Sequence, residues 1–417
     1  MKDGFTAAQG WRYGLLGLPL AFVALPLYVL LPNHYARAYG VPLAALGTVL
    51  LGARLFDAFI DPLIGRWTDR LFARSTRAVL MLGAGACVLL AAGFALLFFP
   101  PTRSTGWLLA WAGGALALTY AAYSVLSVAH QSWGAMLGGD ETQRSRIVAW
   151  REGLGLAGVL LASVLPAAVG LGWTTAVLAT ALAAGWLAWS LSRHPQTRPD
   201  TGRSELWHPW SQPRFRRLLA VFMLNGIASA VPATLVLFFV QDRLQAPPAL
   251  EPAFLGSYFA CAALSIPLWL RLVARIGLAR SWLVGMGLAM AVFVWAAVLG
   301  PGDTAAFLAV CALSGVALGT DLALPGALLA GLIADAGDRG RGEGAYFGWW
   351  NFATKLNLAL AAGLALPLLG AAGYTPGVRD TASLQALTIA YCLLPCALKL
   401  LAAGMLYFTL IRPRGSP

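Results

Sequence analysis

Charge is what this sequence is short of. Of its 417 residues only 11% are Asp, Glu, Lys or Arg, against 59% hydrophobic, and the mean hydropathy is +0.72. Soluble globular chains carry about 25% charged residues, so that class is excluded. Cysteine is scarce: Cys87, Cys261, Cys311, Cys392 and Cys396 all lie in apolar runs, without metal-like spacing or a pairing framework, and read as small core hydrophobes. No phosphate loop, H-E-x-x-H or G-x-S-x-G is present, which argues against ATP-driven transport and intramembrane hydrolysis and gives no enzyme signature. The first apolar run is long and lacks a small-residue cleavage site, so it reads as a membrane span and not a signal peptide. No stretch has the period-2 pattern of a barrel strand.

What is present is one apolar run after another, each near the roughly 20 residues a spanning helix needs. The pattern predicts an all-α integral membrane protein with twelve spans, near 10–31, 42–65, 78–99, 107–137, 147–169, 172–192, 217–240, 253–271, 281–299, 304–333, 344–370 and 384–410. A polar, proline-bearing stretch, SRHPQTRPDTGRSELWHPWSQPRFRR, interrupts them midway. It divides the chain into a six-helix bundle over 1–192, a cytoplasmic linker over 193–216 and a second six-helix bundle over 217–417.

Basic residues orient this arrangement. With both termini cytoplasmic, 22 of the 29 fall on the inner side, four (Arg37, Arg103, Arg243, Arg379) on the outer side, and Arg54, Lys355 and Lys399 inside spans. The net charge of +12 is thus a matter of topology and anionic headgroups, with no nucleic-acid partner implied. Arginine outnumbers lysine 26 to 3 and Ala, Leu and Gly abound, which points to a GC-rich bacterial genome and so to the plasma (inner) membrane.

The second span is the exception to the apolar rule. RLFDAFIDPLIGRWTDR places Arg54, Asp57, Asp61 and Gly65 on one helical face. Asp57 lies nine residues in from Arg66, about 13 Å along a helix axis. A charge at such depth costs on the order of 2.5–3.5 kcal/mol and needs a partner or a wet cavity. Either Arg54 neutralises Asp57 and Asp61–Pro62 shapes a kink, or two carboxylates one turn apart hold a sodium ion or share a proton.

Gly65, Asp69 and Arg70 fit the G-x-x-x-D-R loop of major facilitator transporters. The longer string ARLFDAFIDPLIG resembles the R-x-x-D-x-x-x-D-P-x-x-G signature of the glycoside-pentoside-hexuronide cation symporters, the family of melibiose permease. YGLLGLP, DETQRSRIVAWRE and the run from RGEGAYFGWWNFATKLN to Tyr374 extend the resemblance over nearly the whole chain. It implies a major facilitator fold that works by alternating access, usually as a monomer, drawing in a sodium ion or proton with a sugar or glycoside. It needs no cofactor beyond the coupling ion. Under it Asp57 and Asp61 are the metal (sodium) or proton site, Arg151 a substrate contact, Lys355 a residue near both cation and substrate, and Asp69 and Arg70 gate residues. Read alone, Arg151 is equally a positive-inside anchor, and Lys355, eleven residues into its span, needs an acidic partner such as Asp57.

The departures bear on substrate. Ala21 stands where sugar permeases carry a first-helix aspartate, Ser127 where a third carboxylate is expected, and Gln131 where a tryptophan stacks on sugar. Tyr120, Ser124, Ser127 and Gln131 form a polar stripe at helical spacing, either a cavity lining or an interhelical seam. Ser127 and Asn351 are candidate cation ligands, and Tyr120, Ser124 and Gln131 candidate substrate contacts. Asp321 in span ten either supplies the charge absent at Ser127, contacts substrate directly, or pairs with an arginine. Asp335 and Asp338, beside Arg339 and Arg341, read as gate or loop ion pairs. Pro232, Pro267, Pro325 and Pro367 fit the broken helices of transporters, and His130 is a proton relay or a hydrogen-bonded structural histidine. A lysolipid or other amphipathic solute is the alternative to a sugar. A receptor or scaffold is a remote one, for which no soluble module is visible.

Overall fold

The computed structural model describes residues 5–102, 104–196, 206–374, 377 and 380–412. Lys2, Arg103, Arg198, Arg203, Arg379 and Arg414 of the charge count lie outside them, as do the side chains of Arg37 and Pro367.

The described residues are helical almost throughout. In chain order the helices are α1 Ala7–Gly14, α2 Gly17–Leu25, α3 Leu31–Tyr39, α4 Leu43–Arg74, α5 Thr76–Phe98, α6 Thr105–Leu137, α7 Glu141–Ser190, α8 His208–Ser211, α9 Pro213–Phe238, α10 Glu251–Ile276, α11 Leu278–Ala296, α12 Thr304–Asp335, α13 Glu343–Ala371, α14 Thr381–Thr388 and α15 Leu394–Leu406. Local chemistry sets their ends. Thr6 and Gln9 form a reciprocal capping box on α1, and the Asp140 carboxylate accepts from the Gln143 amide to start α7. Gly170 (φ 80°, ψ 168°) interrupts α7 with a kink, so that the long helix comprises two successive helical segments. Between α2 and α3 a wide π turn, Pro26–Leu30, begins at a proline whose missing N–H cannot continue the ladder.

Nine helical stretches among the described residues are long and apolar enough to cross a membrane. The other three expected spans are also helical: 10–31 is divided among α1, α2 and the π turn, α4 carries Arg54, Asp57, Asp61 and Arg66, and α13 includes residues whose side chains lie outside the described set. Leu264, Val298, Trp107 and Phe59 stand exposed, as side chains that lipid covers do.

Two compact units result. The first is Met1–Ser211 with Ala330–Phe352, the second Gln212–Leu329 with Ala353–Pro417. Their boundary falls in the expected linker, but 330–352 packs with the first unit although it follows the linker by more than a hundred residues. Close backbone contact is the reason: a Cβ on Gly65 would lie 2.1 Å from the Gly344 carbonyl oxygen, and one on Gly348 2.6 Å from that of Asp61. Only glycine permits α4 and α13 to approach so closely. In the same unit α2 lies on α7, where a Cβ on Gly17 would meet the Arg151 carbonyl at 2.5 Å. The second unit has its own aromatic core, with Phe239 and Tyr391 stacked at 4.3 Å.

Candidate functional site

In the first unit, α4 and α6 face each other with their polar stripes. Asp57 and Asp61, one turn apart, are both buried, at 2% and 0% exposure. The Ser124 hydroxyl donates to Asp57 Oδ1 at 3.0 Å, and the Tyr120 phenol lies within the fields of Arg54 and Asp57. One turn further along α6, Gln131 Nε2 donates to Ser127 Oγ at 2.8 Å and to Asn351 Oδ1 at 3.1 Å, and Asn351 Nδ2 donates to Ser127 Oγ at 3.3 Å. The stripe at helical spacing thus joins two groups: Tyr120 and Ser124 with Arg54 and Asp57, and Ser127 and Gln131 with Asn351 of α13.

Arg151 of α7 adds the next layer. Its guanidinium binds the neighbouring Glu152 carboxylate through Nη2 at 2.5 Å and Nε at 3.0 Å, and also meets the Tyr13 hydroxyl. Tyr123 of α6 lies within the fields of Asp57, Asp61, Arg151 and Glu152 together, so these charges share one neighbourhood. Glu152 and Tyr123 went unrecognised in the sequence. The acid following the arginine in AWRE was the available signal, because an acid next to a buried arginine supplies its counter-charge. His130 is the structural kind: fully buried, 2.7 Å from the Tyr13 carbonyl oxygen, its ring 4.3 Å from that of Tyr13.

Asp69 sits at the start of α13. Its Oδ1 accepts from the Gly344 amide at 2.6 Å and its Oδ2 from Ala345 at 2.8 Å, so an aspartate of α4 caps another helix. Arg70 beside it is exposed. Asp338, expected beside Arg339 and Arg341 in a loop ion pair, is bonded to other groups. Asp338 Oδ2 takes His208 Nε2 at 2.9 Å and the Tyr346 hydroxyl at 2.8 Å. Arg339 donates to the carbonyls of Met136 and Leu137, and Arg341 to that of Gly337. Helix-end carbonyls carry partial negative charge and attract guanidinium groups, which diverts both arginines. Glu343, buried just before the apolar span, accepts from Gly340 N (2.8 Å) and Gly342 N (3.3 Å). Burial nevertheless pushes its carboxyl up to about 7, against those hydrogen bonds and the Arg339 charge.

Asp321 belongs to the second unit, and the arginine that one reading gave it as a partner is a lysine. Lys399 Nζ of α15 is 3.1 Å from Asp321 Oδ2, 2.7 Å from Asn225 Oδ1 and 3.0 Å from Ser229 Oγ. Trp282 Nε1 donates to Asp321 Oδ1 at 2.8 Å. An acid in span ten and a lysine in span twelve, each needing a counter-charge, were the signal for this pair. Lys355 also lies in the second unit, on α13.

Among the described residues no three His, Cys, Asp or Glu side chains gather as a metal-binding group. The oxygen-rich face around Asp57 and Asp61 suits a hard cation or a proton.

A sequence profile of the MFS/sugar transport protein family matches residues 12–412. The chain belongs to that family. Family members are transporters and not enzymes, and this one is a multi-pass protein of the bacterial inner membrane. Its relatives include the uncharacterized symporter YjmB of Bacillus subtilis, 23% identical over 434 residues covering 96% of this chain and 91% of the relative. The glucuronide carrier protein homolog of Escherichia coli is 24% identical over 436 residues, with the same shares. These agree with the glycoside-pentoside-hexuronide resemblance carried by ARLFDAFIDPLIG. Among solved structures, a bacterial homologue of the iron transporter ferroportin, outward-facing, aligns with TM-score 0.74 at 16% identity, over 95% of this chain and 98% of that one. The Escherichia coli fucose:proton symporter aligns with TM-score 0.69 at 16% identity, over 95% and 98%. Both show the major facilitator fold.

Proposed function

We propose that this transporter is a cation-coupled symporter of a small organic solute, working as a monomer by alternating access through twelve membrane-crossing helices with both termini cytoplasmic. One observation carries the reading. Two acids one turn apart on α4, Asp57 and Asp61, are buried to 2% and 0% exposure beside hydroxyl groups of α6, in a neighbourhood shared with Arg54, Arg151 and Glu152. Carboxylates buried in hydrocarbon are suited to holding and releasing a sodium ion or a proton, since either one neutralises their charge.

Asp57 and Asp61 are the coupling site for sodium or a proton. Ser127 and Asn351 are further oxygen ligands, and Arg151, Lys355, Gln131, Ser124 and Tyr120 substrate contacts. Asp69 and Arg70 act as a gate. Sugar or glycoside is the substrate class that the relatives' names favour. An amphipathic solute is the second reading, favoured by Ala21 within the apolar α2, where an acid would grip sugar hydroxyls.

Uptake into inverted and right-side-out vesicles under imposed sodium or proton gradients tests the assignment. Accumulation that follows one of the gradients and is lost in Asp57→Asn and Asp61→Asn supports it. Full gradient-driven uptake by Asp57→Asn overturns it.

A further inference from the structure

The second unit lines a partly open cavity of about 300 Å³, with no residue of the proposed coupling site among its walls. Its walls are aromatic and aliphatic, with Tyr258, Phe259, Phe293 and Tyr391 among them, and the Asp321–Lys399 pair lies at its polar end. An apolar cavity of about 150 Å³ is enough to hold benzene, so this one admits a ring with a short chain.

The ion pair restricts what the ring can carry. Lys399 has three N–H donors, and Asn225, Ser229 and Asp321 take all three. The Asp321 carboxylate has about four acceptor positions, of which Trp282, Lys399 and Ser229 fill three, leaving one on Oδ1. The Asp321 side chain is also the more accessible of the two, 15% exposed against 5% for Lys399. A ligand therefore meets an open acceptor. An anionic head would face a carboxylate, an ammonium would bring a second positive charge beside Lys399, and a hydrocarbon chain would leave the acceptor unmet.

We propose that this cavity binds the apolar moiety, a ring with a short chain, of an uncharged, hydroxyl-bearing solute, with one hydroxyl donating to Asp321. The proposal deepens the transport reading above, on which it rests for its biological meaning, by naming a substrate class that free sugars do not satisfy.

Four probes of one shape test it by calorimetry on the full chain in lipid nanodiscs: 3-phenylpropanol, n-propylbenzene, 3-phenylpropanoate and 3-phenylpropylamine. The alcohol is expected to bind roughly tenfold or more tighter than each of the others, the value of one charge-assisted hydrogen bond. Ala233→Phe adds a ring to the wall without touching the ion pair. It should weaken the alcohol by roughly tenfold while leaving the unfolding temperature unchanged. Asp321→Asn should erase the alcohol's advantage over propylbenzene. Equal binding of propylbenzene, as a simple lipid-chain crevice would give, overturns the proposal. So does equal or tighter binding of the acid or the amine, or indifference to Ala233→Phe. Gradient-driven uptake of a solute by wild type that binds none of the probes overturns this proposal alone. Probe binding as expected in a protein that moves no solute supports the cavity and overturns the transport reading.

Discussion

Each unit buries acid in hydrocarbon, and the two manage it differently. In the second unit Asp321 is matched one to one by Lys399, Asn225 and Ser229 take the other Lys399 donors, and Trp282 and Ser229 donate to the carboxylate, which keeps one acceptor position on Oδ1 open. In the first unit Asp57 and Asp61 share a neighbourhood with Arg54, Arg151 and Glu152, among neutral hydroxyl and amide groups. A matched pair holds its charge fixed, because removing either member strands the other. Under the proposed function, the two neighbouring acids of the first unit take up and release a sodium ion or proton, so their charge changes through the transport cycle. On that proposal ion coupling is the task of Asp57 and Asp61 in the first unit, and the Asp321–Lys399 pair of the second serves recognition.

The sharpest way to break this contrast is Asp57→Asn. It should abolish gradient-driven accumulation in vesicles while leaving the unfolding midpoint unchanged or raised, since a neutral amide costs less to bury than a carboxylate. A loss of folding with no change in coupling would place Asp57 with Asp321. Next in size, Lys399→Met should destabilise the protein by about 3–5 kcal/mol, and Asp321→Asn combined with it should recover most of that loss. Thermal unfolding in nanodiscs measures both.

The glycine seams give a smaller effect. Gly65→Ala forces a methyl to within 2.1 Å of the Gly344 carbonyl, and Gly315→Ala to within 2.2 Å of that of Tyr258 in the second unit. Each should cost about 1–3 kcal/mol, but only Gly65→Ala should also lower transport, which parallel uptake and unfolding measurements would separate.

The smallest effect is a pH slope confined to the first unit. Glu343 titrates near 7 when folded, against an ordinary value of 4.5. Between these values the folded chain holds more protons than the unfolded one, so stability falls as pH rises and levels off above about 7. A midpoint a few degrees lower at pH 8 than at pH 5, flattened by Glu343→Gln, is the expected outcome.

Much of the first unit's site was legible in the sequence. The 3.6-residue period put Arg54, Asp57, Asp61 and Gly65 on one face and Tyr120, Ser124, Ser127 and Gln131 on another, and the structure turns these faces together. The loop pairings were not legible. Arg339 and Arg341 lie next to Asp338 in sequence, yet carbonyls at helix ends took them and left the acid to His208 and Tyr346. Glu152 was hidden for the opposite reason, since its partner is its immediate neighbour and no spacing pattern marks it.

The sequence by itself determined the class of protein, the helices and the faces on which acids fall, because hydropathy and helical period act over a few turns of chain. Only the tertiary structure decided what each acid answers to. Asp321 found Lys399 at a separation of 78 residues, and Asp69 found the amides of Gly344 and Ala345 at 275 and 276. A hydrogen bond acts over about 3 Å, so its partner is chosen by which helices pack side by side, and that choice rests on close approaches such as Gly65 against Gly344.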